Sequence, residues 1–192
     1  MRIRRRENKW FLRAAQTIPY GRDRELMVME SCSRVFVYGT LQQGEELSHL
    51  WPHAPLAVEA AVVTGRLHDL GPYPALVAGT DLVAGELWKL DPEHMAATLA
   101  VLDDVEDYGQ EGEDDLYVRT IVECRVGDGR VERAFTYLFA DPSALVSAPV
   151  IAPDSDGLCR WDAADRVRAS RLHTGRLAAL RPARWMPRSV VQ

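Results

Sequence analysis

Between Arg34 and Phe139 the chain is written in short β-forming runs separated by glycine, proline and Asp-Gly breaks, and one helix-start signal interrupts them. That alternation constrains the fold more than any other feature. Val35-Phe36-Val37-Tyr38 is an apolar strand stopped by Gly39. Ala57 to Leu67 reads as a strand bent at Gly65, and Tyr73 to Val77 follows a Gly71-Pro72 turn. Val83 to Leu90 is read as a separate strand. Leu116 to Val126 and Val131 to Phe139 are joined through Gly127-Asp128-Gly129-Arg130, whose Asp-Gly step marks a hairpin. Asp91-Pro92 supplies an N-cap and a proline at the first helical position. Met95, Leu99, Leu102 and Glu106 then follow on one helical face. Residues 45–50 suit a short helical turn. The pattern predicts one α+β domain over 33–141.

Charge divides the chain at the same boundaries. Residues 1–32 carry a net +4, residues 33–141 a net −13 and residues 142–192 a net +4. The leader, 1–32, has no sustained period and reads as loosely ordered, with Met27 and Met29 just before the first strand as an alternative start. Residues 142–160 are rich in Pro, Ala and Ser and read as an irregular wrap. The Arg- and Ala-rich stretch 161–181 is expected to be helical, and the end of the chain loose. The acidic centre argues against nucleic acid as a partner, since it repels a phosphate backbone. No apolar run approaches the roughly 18 residues that span a bilayer, and the basic start leads into no apolar signal region. Three widely spaced cysteines, Cys32, Cys124 and Cys159, make no disulfide framework or four-cysteine zinc site and suit a reducing cytoplasm.

Two places draw attention as sites. Glu106 continues the apolar face of the helix near its C-terminus, crowded by Asp103, Asp104 and Asp107. Burial and like charge both raise a carboxylate pKa, which suits acid/base work near neutrality. On periodicity alone a solvated glutamate at a frayed helix end stands beside that reading. The stretch from Asp103 to Asp115 holds eight carboxylates in thirteen residues but lacks the spacing of a calcium loop. The second place is the turn Tyr38-Gly39-Thr40-Leu41, continued by Gln42-Gln43-Gly44, where successive N–H groups after a strand can hold an anion. The five histidines show no metal-binding spacing, and no G-x-S-x-G elbow occurs.

Taken together the segments resemble the γ-glutamylcyclotransferase family, with its γ-glutamylamine cyclotransferase and AIG2-like members. The resemblance rests on VFVYGTL at 35–41, GRLHDLGPYPALV at 65–77, VAGELWKLDPE at 83–93, LAVLDDVEDY at 99–108, YVR at 117–119 and AFTYLF at 134–139, in that order. It implies a compact mixed β-barrel with peripheral helices and a cavity at one end. It maps the family's catalytic glutamate onto Glu106 and its substrate-binding turn onto Tyr38, Gly39, Thr40 and Leu41. Tyr73, Tyr117 and Tyr137 fall in matching segments, as cavity-lining or core aromatics. Arg119 matches as well, and pairing with the acidic stretch accounts for it equally.

The activity so implied is release of 5-oxoproline and a free amine from a small γ-glutamyl compound, with no metal or organic cofactor. The substrate's α-amine has a free pKa of about 7.7–8.0, and one positioned carboxylate can take its proton and pass it to the leaving amine. A non-catalytic small-ligand binder on the same fold is the alternative. The identity of the leaving amine and the oligomeric state are not legible in these residues.

Overall fold

The computed structural model describes residues 32–109 and 114–162. Six strands form one sheet: β1 (Arg34–Val37), β2 (Ala57–Asp69), β3 (Pro74–Lys89), β4 (Tyr117–Val126), β5 (Val131–Phe139) and β6 (Leu158–Cys159). They are ordered β1-β5-β4-β2-β3-β6, and β3 also pairs with β1, so five strands close into a barrel with β6 on the outside of β3. β1 runs parallel to β5 and β6 parallel to β3, and the remaining neighbours are antiparallel. This is the mixed barrel that the resemblance implies, in the α+β class that the strand pattern predicts. The leader to residue 31 and the expected Arg-rich helix from residue 163 onward lie outside the described residues.

Alternation along the strands divides the buried side chains into two cores. Phe36, Leu67, Leu76, Leu87, Cys124 and Ala134 share the inner face and fill the barrel. Val35, Val37, Trp88, Phe135 and Phe139 face the other way and are covered by α1 (Met95–Val105), the one α-helix among the described residues. Met95, Leu99 and Leu102 of α1 are buried against them, as their spacing requires. Asp91 caps the approach to α1 by accepting from the Glu93 N–H at 2.9 Å, although Pro92–His94 forms a 3₁₀ turn before the α-helix begins.

One expected break is absent. The runs 74–77 and 83–90 form a single strand, β3, because its pairing with β2 continues on both sides of a bulge. Arg66 pairs with Val77 and Gly65 with Asp81, so Ala78-Gly79-Thr80 loop out between them. A Cβ on Gly79 would lie 2.6 Å from the Arg66 backbone nitrogen, so the bulge closes only on glycine.

After Phe139 the chain stays on the barrel. Leu145 is buried in the helix-side core, the Ile151 N–H donates to the Leu67 carbonyl at 2.8 Å, and Cys159 and Trp161 join the inner core. Among the described residues no helix is long and apolar enough to cross a membrane.

Candidate active site

The site lies where β1 ends and α1 ends. At the end of β1 the chain turns through Tyr38-Gly39-Thr40-Leu41. Three consecutive carbonyls of this turn accept hydrogen bonds: Gly39 from the Gln42 N–H at 3.0 Å, Thr40 from the Leu47 N–H at 2.9 Å, and Leu41 from the Trp51 indole at 3.0 Å. Trp51 is itself fixed by stacking on Trp88 at 4.1 Å between ring centroids. The N–H groups of Gly39, Thr40 and Leu41 donate to none of the described residues. A turn whose carbonyls are occupied and whose donors are open is an anion acceptor. Gly39 is required by its neighbour: a Cβ there would meet the Pro74 ring at 2.6 Å.

α1 ends at Glu106 by a defined cap. The Glu106 N–H donates to the Leu102 carbonyl and the Tyr108 N–H reaches back to the Asp103 carbonyl, both at 2.9 Å. Asp107 between them has φ +49°, the left-handed conformation that stops a helix. Asp tolerates that region better than most residues do. This geometry sets Glu106 as the last residue of the helical spiral and swings the following residues away.

A cavity of about 530 Å³, its open mouth included, separates the two ends. Tyr38, Gly39, Thr40, Leu41, Tyr73, Glu106, Tyr117 and Tyr137, the eight residues singled out in the sequence, all border it. The tyrosines build its walls. The Tyr38 hydroxyl donates to the Tyr137 carbonyl, the Tyr117 hydroxyl to the Pro74 carbonyl, and the Tyr137 hydroxyl to Asp103 Oδ1, each at 2.7 Å. Tyr73 meets the edge of Tyr117 at 6.5 Å. Six lining residues were not foreseen: Phe36, Val37, Leu47, Pro74, Val105 and Leu116. All are apolar or ring residues, and in sequence nothing separates them from core.

Among the described residues, Glu106 is the only one lining the cavity that carries a charged-type side chain. Burial, and then the negative charges of Asp107 and Asp103, push its carboxyl from an ordinary 4.5 up to about 8. The residue keeps partial exposure because the cavity reaches it, while protein surrounds the carboxyl on its other sides. Burial is also the first cause that raises Tyr38, Tyr117 and Tyr137 above the ordinary phenol value, with Glu106 adding to each. The phenols are therefore neutral across the physiological range, and Glu106 alone of the lining titrates near neutrality. Arg119 does pair with the acidic stretch: its guanidinium holds Asp103 Oδ2.

These features meet known proteins along most of the barrel. The family model described as γ-glutamyl cyclotransferase, AIG2-like, matches residues 35–161. A γ-L-glutamyl-butirosin B γ-glutamyl cyclotransferase from Niallia circulans is 35% identical over 108 residues, which cover 55% of this chain and 65% of that protein. The γ-glutamylcyclotransferase family protein YtfP of Escherichia coli is 32% identical over 109 residues, 57% of this chain and 84% of its own length. γ-Glutamylaminecyclotransferase A of Danio rerio is 30% identical over 121 residues, 55% of this chain and 68% of that protein. The chain thus spans just under two thirds of the first of these relatives. With two thirds of its residues inside the family model, and its barrel built from the matched segments, the chain belongs to the γ-glutamyl cyclotransferase, AIG2-like family of enzymes.

Proposed function

We propose that the protein is a γ-glutamyl cyclotransferase that releases 5-oxoproline and a free amine from a small γ-glutamyl compound, with Glu106 as its general acid and base. The observation that carries this reading is the pairing, across one cavity, of a single carboxyl poised near neutrality with a turn of open backbone donors. Without substrate, the carboxyl is mostly protonated at pH 7, as its value of about 8 requires. An entering α-ammonium supplies the missing positive charge and favours the carboxylate. The carboxylate so formed takes a proton from the ammonium and frees the α-nitrogen.

The deprotonated α-nitrogen attacks the γ-carbonyl carbon. A nitrogen–carbon bond closes the five-membered lactam and negative charge moves onto the carbonyl oxygen. The proton held on Glu106 passes to the leaving nitrogen, and the bond from that nitrogen to the γ-carbon breaks as the carbonyl re-forms; the regenerated carboxylate then takes the second proton from the lactam nitrogen and passes it to the departing amine. Nucleophile and electrophile belong to one molecule, so the walls need only fold it into the cyclic conformation. The N–H groups of Gly39, Thr40 and Leu41 suit either the substrate carboxylate or the developing oxyanion.

Charge narrows the leaving portion. Among the described residues the lining carries no basic side chain, and Asp103 and Asp107 add negative charge behind Glu106. A leaving portion that bears its own carboxylate is repelled, so an uncharged or cationic amine fits better. Incubation with a panel of γ-glutamyl amines and γ-glutamyl amino acids, with detection of 5-oxoproline, tests the function. Release from at least one amine supports it, and ligand binding without release from any would return the protein to a small-ligand binder.

A further inference from the structure

Behind the cavity wall, Asp103 and Arg119 form a unit that the proposed chemistry does not use. Asp103 sits three residues before Glu106, one turn back along α1. One of its oxygens accepts from the Tyr137 hydroxyl at 2.7 Å, and the other is held by the Arg119 guanidinium. Arg119 comes from β4 and its side chain is only 10% exposed. Its guanidinium carbon lies 5.4 Å from the centroid of Tyr108 and 5.7 Å from that of Phe135. Tyr108 is the residue whose N–H closes the cap of α1 on the Asp103 carbonyl. Arg119 therefore grips the turn that presents Glu106 at two points, the Asp103 carboxylate and the Tyr108 ring.

We propose that Asp103 and Arg119 are a positioning pair for Glu106: Arg119 neutralises the Asp103 carboxylate behind the acid/base and, through Asp103, holds Tyr137 and the end of α1 against the cavity. The inference rests on the reading of Glu106 as the acid/base. Among the described residues, the groups around Glu106 come from five elements. Asp103 and Asp107 belong to α1 and its cap, Tyr38 to the β1 turn, Tyr117 and Arg119 to β4, and Tyr137 to β5. Tyr73, from the β2–β3 turn, adds to this ring through Tyr117 and Asp107. The phenols are neutral, so the fixed charges are the two aspartates and one arginine. Arg119 is the one positive charge among these groups, and its removal leaves Asp103 acting on Glu106 at full strength.

The two halves of the pair consequently act on Glu106 with opposite sign. Arg119→Met keeps the stem and removes the charge, which makes the Glu106 carboxylate harder to form. Asp103→Asn keeps the shape and removes the negative charge, which makes it easier to form. One elementary charge at this helical spacing in a partly buried site is worth on the order of one pH unit. Arg119→Lys retains the charge and loses the planar fork.

The test follows the titration of Glu106 directly, by carbon-13 NMR of the full chain labelled at the glutamate carboxyl, with the signal assigned through Glu106→Gln. The pH profile of 5-oxoproline release is measured on the same variants, and circular dichroism checks their fold. The expected result is a Glu106 midpoint raised by about one pH unit in Arg119→Met, lowered by about one in Asp103→Asn, and close to wild type in Arg119→Lys. If Arg119→Met does not fold, Asp103→Asn decides alone: a midpoint that stays put or rises overturns the proposal. Midpoints that move together in the two variants, or not at all, also overturn it, because a purely structural pair would give that result. Opposite midpoint shifts with an unmoved activity profile would uphold the pair and instead refute Glu106 as the acid/base.

Discussion

Glu106→Gln should change the pH dependence of stability in a way no neighbouring group can mimic. In the folded protein the carboxyl titrates at about 8 rather than 4.5, so between those values the folded state holds a proton that the unfolded chain has lost. Stability from this group is therefore undiminished below 4.5, falls as pH rises through the window, and stays reduced above 8. The full displacement corresponds to about 5 kcal/mol at 1.36 kcal/mol for each pH unit. Water that reaches the carboxyl through the cavity mouth screens part of it and leaves roughly 3 kcal/mol. The glutamine amide imitates the neutral acid at every pH and removes the effect. Urea unfolding of both proteins from pH 4 to pH 9, followed by tryptophan fluorescence, gives the difference, in which all shared titrations cancel. The two should be equally stable near pH 4. The variant should be the more stable at pH 9 by roughly 3 kcal/mol, or about 6–12 °C in Tm for a chain of this length. A difference that does not change with pH would refute the burial of Glu106 against Asp103 and Asp107.

Three further outcomes follow from the walls of the cavity. Gly39→Val should raise KM by about 10- to 100-fold with a smaller effect on kcat, since its side chain must displace Pro74 and with it the donor turn; steady-state kinetics on one γ-glutamyl amine measures both. Tyr117→Phe leaves the buried Pro74 carbonyl without its hydroxyl donor and should cost about 1–2 kcal/mol of stability in the same urea assay. A γ-glutamyl amine should exceed the matching γ-glutamyl amino acid in kcat/KM by about tenfold or more, with the gap narrowing as salt is added.

How far the sequence carries can be judged residue by residue. The end of α1 was legible because Met95, Leu99 and Leu102 hold Glu106 to their face, and burial of that face is what a lone helix on a sheet must do. The cap was not, because Asp107 gives no sign in sequence that it adopts φ +49° where glycine is usual. The β2–β3 turn was announced by Gly71-Pro72, and the Asp-Gly hairpin by its own dipeptide, since both are local chemistry. The continuity of β3 was hidden, because Gly79 breaks a strand in sequence and permits a bulge in the structure. The turn donors were read from the strand-glycine pattern and again from the resemblance. The shape of the turn is fixed by Gln42, Leu47 and Trp51 donating to its carbonyls, contacts three to ten residues apart of which only the first is a turn that the sequence suggests. Arg119 was left between two explanations, and its Asp103 contact brings a β4 side chain to a helix sixteen residues earlier.

The most direct test of the account is 5-oxoproline release by wild type and Glu106→Gln on the same γ-glutamyl amine at pH 8, with binding measured alongside by calorimetry. General acid/base contributions are typically about 10²–10⁴-fold. The variant should lose turnover by that factor and still bind, because the backbone donors at Gly39, Thr40 and Leu41 do not depend on the side chain at 106. Release by the variant at close to the wild-type rate would contradict the central claim.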